Sequence, residues 1–357
     1  ARAWVTLLTT ESYAKGVLAL SRSLQEVETD FPLLVIVTPM LPQHVLQALR
    51  EQGCEVRLVE PTEPPSGTGG PPNYACERFA DCWIKLRMWE WEEEFEQLVY
   101  LDADMLVLRN MDELLSDDLD CAGVLKPTAL LRNDTAGPLH SEEAGDASQD
   151  GGSAVQIIRA VQECFCPVRE RRHLCPYEML AANPHVSVCE EQAYFNAGLM
   201  VLQPSKRLAA LMQEALSESD LSEFAFAEQD FLNRFFRGNW ERLPWHYNAH
   251  KAIFACHRDS VWDFATVKNV HYTMAKPWDL KHPCNKGFEG LNSLWWAAYA
   301  EPATMCRVLF ELHMKDKKRR QRLPKPLGVE ESSALGQASD TVESSGVNLN
   351  DNVDRSL

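Results

Sequence analysis

The sequence predicts an α/β fold: a Rossmann-like, mostly parallel central sheet with helices on both faces. Two observations carry this reading. Apolar runs alternate with helical patterns through the first part of the chain, and strands that alternate with helices build parallel sheets. The fourth apolar run ends on a pair of aspartates, and open α/β sheets bind ligands at the carboxyl ends of their strands. With 357 residues, 45% of them hydrophobic, the chain can bury a large core.

The elements follow in order. Val5–Thr9 reads as a short buried strand, and Ser12–Val27 as a helix with Val17, Leu20, Leu24 and Val27 at helical spacing. Pro32–Pro39 is a strand bounded by prolines. Gln43–Gln52 is a helix ended by Gly53, a residue suited to the position past a helix end. Glu55–Val59 is a third strand. Arg78–Phe95 reads as helical, with Phe79, Trp83, Leu86 and Trp89 on one stripe. Gln97–Leu101 is the fourth strand and runs into Asp102. Further on, Cys121–Leu125 and Leu199–Leu202 read as short strands, and Ser205–Leu216, Glu228–Phe236 and Leu291–Ala300 as helices.

Lys126–Glu191 is rich in Gly, Pro, Ser, Asp and Cys. A connection of that length signals a functional loop or an insertion, and Asn133–Ser153 is its expected disordered half. One domain is therefore expected over residues 1–314, interrupted by an insertion over residues 127–190. A tail follows over residues 315–357. Its first part, Lys315–Arg322, holds six basic residues and one acid; such a run is more often a solvated helix end than a phosphate or membrane contact. Gly328–Leu357 has six acids, one Arg and no aromatic residue, and is expected to stay disordered.

Charge narrows the function. Lys and Arg total 35 against 52 Asp and Glu, a formal net charge of −17, so a basic nucleic-acid footprint is not expected. No apolar run approaches the ~18 residues a membrane span needs, and Ala1–Thr10 reads as a strand rather than a secretory leader. The eleven cysteines are odd in number and scattered, which fits reduced thiols and a cytoplasmic location. A Golgi or other secretory lumen is the alternative if a leader has been removed. Homodimerisation is left open.

The strongest chemical signal is Tyr100-Leu101-Asp102-Ala103-Asp104. Carboxylates two residues apart at a strand end point the same way, and a divalent metal of the Mg²⁺ or Mn²⁺ kind satisfies both; two solvated aspartates in a turn are the alternative. His271-Tyr272, followed by Lys276-Pro277-Trp278, offers a metal ligand and a point charge suited to phosphate. Asn196 places a polar amide beside an apolar strand, where it needs a hydrogen-bond partner, sugar or backbone. Glu228, Gln229 and Asp230 open a helix, where acids also simply favour the N-terminus.

In order along the chain, this set resembles glycosyltransferase family 8, the retaining, metal-dependent family of glycogenin and galactinol synthase. The matching blocks are Leu7-Leu8-Thr9-Thr10 with Tyr13-Ala14-Lys15-Gly16, then Lys85-Leu86, the D-x-D, Phe195-Asn196-Ala197-Gly198, Glu228-Gln229-Asp230-Phe231-Leu232-Asn233, Pro244 with Tyr247-Asn248, and His271 with Lys276-Pro277-Trp278. The resemblance runs from Trp4 to Trp296 and implies a GT-A fold, a UDP-sugar donor and a bound Mn²⁺ ion. It implies that Thr9, Thr10 and Tyr13 hold uracil and ribose, with Asp102 or the Ala103 backbone near the ribose. Lys85 would contact the donor, and Lys276 would pair with the diphosphate. Asp102, Asp104 and His271 would ligate the metal. Asn196, Glu228 and Gln229 would hold the transferred sugar and serve catalysis.

Several stretches are most similar to galactinol synthase, among them Gln52-Gly53-Cys54-Glu55-Val56-Arg57 and the block around Glu228. The implied reaction is hexosyl transfer from a UDP-hexose to a polyol such as myo-inositol. The alternatives are glucosyl or glucuronosyl transfer to a glycan, protein or lipid, and an inactive scaffold that binds nucleotide-sugar. Two departures stand out. Ala249–Asn269 contains no Tyr, the residue that glycogenin glucosylates near this point, and Tyr272-Thr273-Met274-Ala275 lacks the Gly often found before Lys-Pro-Trp. A dehydrogenase is disfavoured, because the glycine cluster Gly67–Gly70 sits among prolines. Cys164, Cys166, His173, Cys175 and Cys189 cluster in the insertion. Free thiols are expected there, with zinc or a disulfide as the alternative.

Overall fold

The computed structural model describes residues 1–61, 73–116, 157–183, 185–189 and 192–322. The expected strand Cys121–Leu125, the disordered half Asn133–Ser153, the cluster Gly67–Gly70 and the acidic stretch Gly328–Leu357 lie outside them.

The strands are β1 (Arg2–Leu8), β2 (Leu33–Val37), β3 (Glu55–Leu58), β4 (Gln97–Leu101), β5 (Met105–Val107), β6 (Ile158–Gln162), β7 (Phe195–Leu202), β8 (Trp240–Leu243), β9 (Ala249–His250) and β10 (Asn269–His271). The helices are α1 (Ala14–Glu26), α2 (Gln43–Glu51), α3 (Tyr177–Ala182), α4 (Lys206–Ser217), α5 (Glu228–Phe235), α6 (Lys251–Cys256), α7 (Glu289–Ala300) and α8 (Met305–Arg320). Among the described residues, seven strands form the main sheet in the order β3-β2-β1-β4-β7-β6-β8. It is mostly parallel, and of these seven strands only β7 runs antiparallel to its neighbours β4 and β6. The expected α/β architecture is thus the observed one.

Alternation along the strands separates two layers. Trp4, Leu8, Val35, Val99 and Leu101 face α1 and α2, which contribute Val17, Leu20, Leu24, Val45 and Leu49. Ala3, Val5, Ile36, Leu98 and Tyr100 face the other layer, with Trp83, Met88, Trp89, Met212 and Phe231. Each of these large apolar side chains stabilises the fold by about 1.5–3 kcal/mol when fully buried.

Two segments differ from expectation. The stripe within Arg78–Phe95 forms a 3₁₀ helix over Glu77–Glu90; Trp83, Leu86 and Trp89 are spaced by three, the period of that helix. The long connection carries a strand, because β6 pairs with β7 and β8 inside the main sheet. The basic run continues α8 through Arg320, where buried Asp316 grips Arg258 at 3.2 Å and Arg320 at 2.9 Å.

A second, three-stranded sheet, β5-β10-β9, stands beyond the D-x-D turn. Its antiparallel register sets His271 opposite Met105, and the Tyr272 N–H donates to the Asp104 carbonyl at 3.0 Å. Backbone pairing therefore carries the histidine to aspartates far away in sequence. No helix among the described residues is long and apolar enough to cross a membrane.

Candidate active site

The turn Asp102-Ala103-Asp104 leaves the carboxyl end of β4 beside β1, where the chain order of the strands reverses and α/β sheets open a crevice. Two glycines let other elements close on it. A Cβ at Gly16, in α1, would stand 2.4 Å from the Ala103 carbonyl oxygen. One at Gly198, in β7, would stand 2.4 Å from His271 Cε1 and 2.8 Å from both Asp102 Oδ2 and Asn196 Oδ1. Only a residue without a side chain lets these backbones approach so closely.

Each carboxylate has one satisfied side. Asp102 Oδ1 accepts from the Tyr100 hydroxyl at 2.8 Å and from Lys85 Nζ at 3.1 Å. Lys85 also reaches Glu228 Oε1 at 2.7 Å and lies over the Tyr100 ring. Burial disfavours the ammonium, but the Asp102 and Glu228 carboxylates outweigh it and hold its pKa well above the ordinary value. Burial likewise pushes Asp104 up, yet the Lys276 ammonium and His271 hold it well below the usual carboxylate range. Lys276 donates to Asp104 Oδ2 and, at 2.9 Å, to the Tyr272 carbonyl. Asn285 fixes the Lys276 segment by donating to the Lys276 carbonyl at 2.9 Å.

A chain of hydrogen bonds sets the histidine tautomer. Asn196 Nδ2 donates to Glu163 Oε2 at 2.8 Å. Asn196 Oδ1 then accepts from Gly198 N and Asn248 Nδ2, both at 3.0 Å. Asn248 Oδ1 is left to accept from His271 Nδ1–H at 2.9 Å. In the neutral ring, His271 Nε2 therefore presents a lone pair, 3.2 Å from Asp104 Oδ1 and 3.6 Å from Asp102 Oδ2. Asp104 Oδ1 is buried and has no hydrogen-bond partner. One ligand atom from each of the three residues lies within 4.8 Å of the others. Acceptors gathered with no proton between them fit a hard divalent cation, and oxygen and imidazole ligands suit Mn²⁺.

The remaining expected residues make contacts of their own. Thr9 and Thr10 stand past the end of β1; Thr38 donates to the Thr9 carbonyl at 3.5 Å, and Thr10 shares a hydrogen bond with Ser12 at 3.1 Å. Tyr13 packs edge-on against Trp278, centroids 5.3 Å apart. Gln229 is held by the protein: its Oε1 accepts from Ala197 N at 2.9 Å, and its Nε2 faces Tyr194 and Glu163. Glu228 joins the cluster through Lys85, on a helix entered through Ala227, whose φ of +46° is strained for a residue with a side chain.

Sequence reasoning missed Glu163 and His250 and gave Asn248 no role. Glu163 follows β6, in the stretch read as an insertion. Burial raises its carboxyl pKa, against hydrogen bonds from Asn196 and the Cys164 N–H. His250 is fully buried, with Nδ1 3.5 Å from Glu163 Oε1 and its ring 5.6 Å from that of His271. No spacing links these residues to the D-x-D; the sheet alone brings them there.

A sheet of this topology, ending in paired carboxylates, a histidine and a lysine, fits a GT-A glycosyltransferase that uses a nucleotide sugar. The chain belongs to glycosyl transferase family 8, whose profile matches residues 4–281, as the ordered motifs suggested. Galactinol synthase 4 of Arabidopsis thaliana is 31% identical to it over 314 residues, 84% of this chain and 81% of that protein. Galactinol synthase 1 of Ajuga reptans is 30% identical over 300 residues, 80% and 77% of the two chains. Among solved structures, the bifunctional glycosyltransferase WbbM matches with a TM-score of 0.52 at 14% identity, over 88% of this chain and 52% of that one. The glycosyltransferase GlyE of Streptococcus pneumoniae matches with a TM-score of 0.51 at 15% identity, over 88% and 64%. These two show the fold. The protein is a hexosyltransferase.

Proposed function

We propose that the protein transfers a hexosyl group from a UDP-sugar to a polyol hydroxyl, with retention and with Mn²⁺, as a galactinol-synthase-like enzyme whose first-choice acceptor is myo-inositol. The observation that carries this is the convergence of His271 Nε2 and Asp104 Oδ1, two acceptors facing one another beside a lysine. The names of the relatives support the polyol acceptor.

Asp102, Asp104 and His271 would hold the ion, which when bound supplies Lewis-acid stabilisation of the departing diphosphate. Thr9, Thr10 and Tyr13 would hold the uracil and ribose, with the Ala103 backbone beside the ribose. Lys276 Nζ meets the negative charge that develops on the leaving phosphate, in a site where burial strengthens the attraction. Lys85 pairs with Asp102 and Glu228 and holds both carboxylates in place. The sugar becomes oxocarbenium-like as the bond to phosphate breaks, and a nearby carboxylate stabilises that charge; Glu163, held by Asn196, takes this role. Gln229 orients rather than attacks, because its amide oxygen is bound to the Ala197 N–H and an amide is a poor nucleophile. The acceptor hydroxyl enters on the face the phosphate leaves and gives its proton to the departing phosphate oxygen, so configuration is kept.

The test is UDP release with Mn²⁺ from UDP-galactose, UDP-glucose, UDP-glucuronate and UDP-N-acetylglucosamine, each with and without myo-inositol. Inositol-dependent release from UDP-galactose, lost in Asp104→Ala, is expected. Slow donor hydrolysis with no inositol effect would move the acceptor to a glycan, protein or lipid. No turnover of any donor would leave a nucleotide-sugar-binding scaffold.

A further inference from the structure

A second ligand cluster lies outside the catalytic machinery. The Cys164, Cys166 and Cys175 thiols gather with His257, one ligand atom of each lying within 4.8 Å of all the others. The set differs from the sequence expectation: His173 and Cys189 are exposed and lie outside the group, and the imidazole comes from the end of α6 instead.

The distances are those of a tetrahedral site. Sulfurs held about 2.3 Å from a tetrahedral zinc stand about 3.8 Å from one another and about 3.5 Å from a ligating nitrogen. Here Cys164 and Cys175 Sγ are 3.9 Å apart, and His257 Nε2 lies 3.2 Å from Cys166 Sγ and 3.4 Å from Cys175 Sγ. The imidazole is oriented for the purpose. Glu178 Oε1 accepts from His257 Nδ1–H at 2.8 Å and is itself held by the Ser260 hydroxyl at 3.1 Å. That leaves a lone pair on Nε2 aimed at three sulfurs, the carboxylate–histidine arrangement that supports zinc ligands. Cys164 and His257 are buried, and Cys166 and Cys175 are half-buried. Thiolate with imidazole selects zinc over the hard cation suited to the aspartates.

We propose that Cys164, Cys166, Cys175 and His257 form a structural zinc site, with Glu178 orienting the histidine. All four positions are filled by protein, so the site is closed and serves the fold rather than catalysis. Its place explains its use. The ligands tie the segment after β6 and the start of α3 to the end of α6, with 92 residues between Cys164 and His257. Glu163 immediately precedes the first ligand, and its Oε1 accepts from the Cys164 N–H at 2.8 Å. The same staple thus fixes the carboxylate that holds Asn196.

The full chain, purified under reducing conditions with zinc supplied and dialysed against a weak chelator, provides the test. Metal content would be measured by mass spectrometry and the coordination shell by zinc-edge X-ray absorption. Expected is about one zinc per chain, with a sulfur-dominated shell at about 2.3 Å. Cys175→Ser should lose that zinc, Glu178→Gln should bind it about 10–100-fold more weakly, and Asp104→Asn should keep it. The wild-type absorption spectrum decides the matter even if Cys175→Ser fails to fold. Metal-free protein, a shell of oxygen and nitrogen alone, or zinc that Cys175→Ser keeps and Asp104→Asn loses would overturn the proposal.

Discussion

Gly198→Ala adds one methyl group where three functional atoms already converge. The new Cβ would lie 2.4 Å from His271 Cε1, 2.8 Å from Asp102 Oδ2 and 2.8 Å from Asn196 Oδ1. Ordinary carbon contacts are about 3.5–4.0 Å, so the imidazole must retreat by more than about 1 Å. It has little room, since His271 is 3% exposed and tied through Nδ1 to Asn248. The alternative is that β7 moves, but the Gly198 carbonyl accepts from the Asp102 N–H at 2.8 Å and such a shift would drag the turn with it. Either route spoils the alignment of Asp102, Asp104 and His271. A misplacement of about 1 Å costs roughly 10²-fold in rate, which is about 2.7 kcal/mol of barrier, and overpacking removes a further ~1–3 kcal/mol of stability. The assay is Mn²⁺-dependent UDP release as a function of metal concentration, with thermal unfolding of the same samples. Activity should fall at least ~10²-fold and half-saturation should move to higher metal. A folded variant with unchanged rate and metal dependence would refute the reasoning.

Other perturbations test other parts. Glu163→Gln keeps the shape but removes the charge, so kcat should fall about 10²–10³-fold with the fold intact; unchanged steady-state kinetics would remove Glu163 from the sugar site. Met274 occupies a left-handed turn, φ +65°, in the segment that lacks the expected glycine. Met274→Gly should therefore leave stability unchanged or raise it by up to about 1 kcal/mol, and denaturant unfolding would expose a loss if the side chain matters. Lys251 is buried, donating to the Ala275 carbonyl and Asn285, and burial followed by repulsion from Lys276 lowers its pKa to about 8. The unfolded chain holds that proton up to about pH 10.4. Between those values the unfolded state binds more protons, so this group makes stability rise with pH by about 1.4 kcal/mol per unit; below pH ~8 the dependence is flat, with the full cost of the buried ammonium present. The difference in unfolding free energy between wild type and Lys251→Met should show that slope; a difference flat across the window would contradict it.

Much of the fold was legible in the sequence because β1, β2 and β4 are continuous apolar runs, which fully buried parallel strands require. The D-x-D, Asn196, Lys276 and His271 were legible because their types conflict with apolar surroundings. Other features were not. Ile158–Gln162 is a short strand whose partners, β7 and β8, come later in the chain, and nothing local marks it. Glu163 was hidden for the same reason, in a stretch whose composition reads as loop. Leu199–Leu202 was read as the whole strand, but β7 begins at Phe195. Asn196 can enter the strand only because Asn248, Gly198 and Glu163 satisfy its amide. His257 joins three cysteines through tertiary packing, so no spacing rule finds it.

The central claim is that Asp102, Asp104 and His271 make nucleotide-sugar binding depend on a divalent cation. Calorimetric titration of UDP into the full chain, with and without Mn²⁺, tests it most directly, with Asp104→Ala in parallel. We expect UDP to bind tightly to the wild type only when Mn²⁺ is present, and the metal effect to vanish in the variant. Equal UDP affinity with and without the ion, or a variant that keeps the full metal effect, would contradict the account.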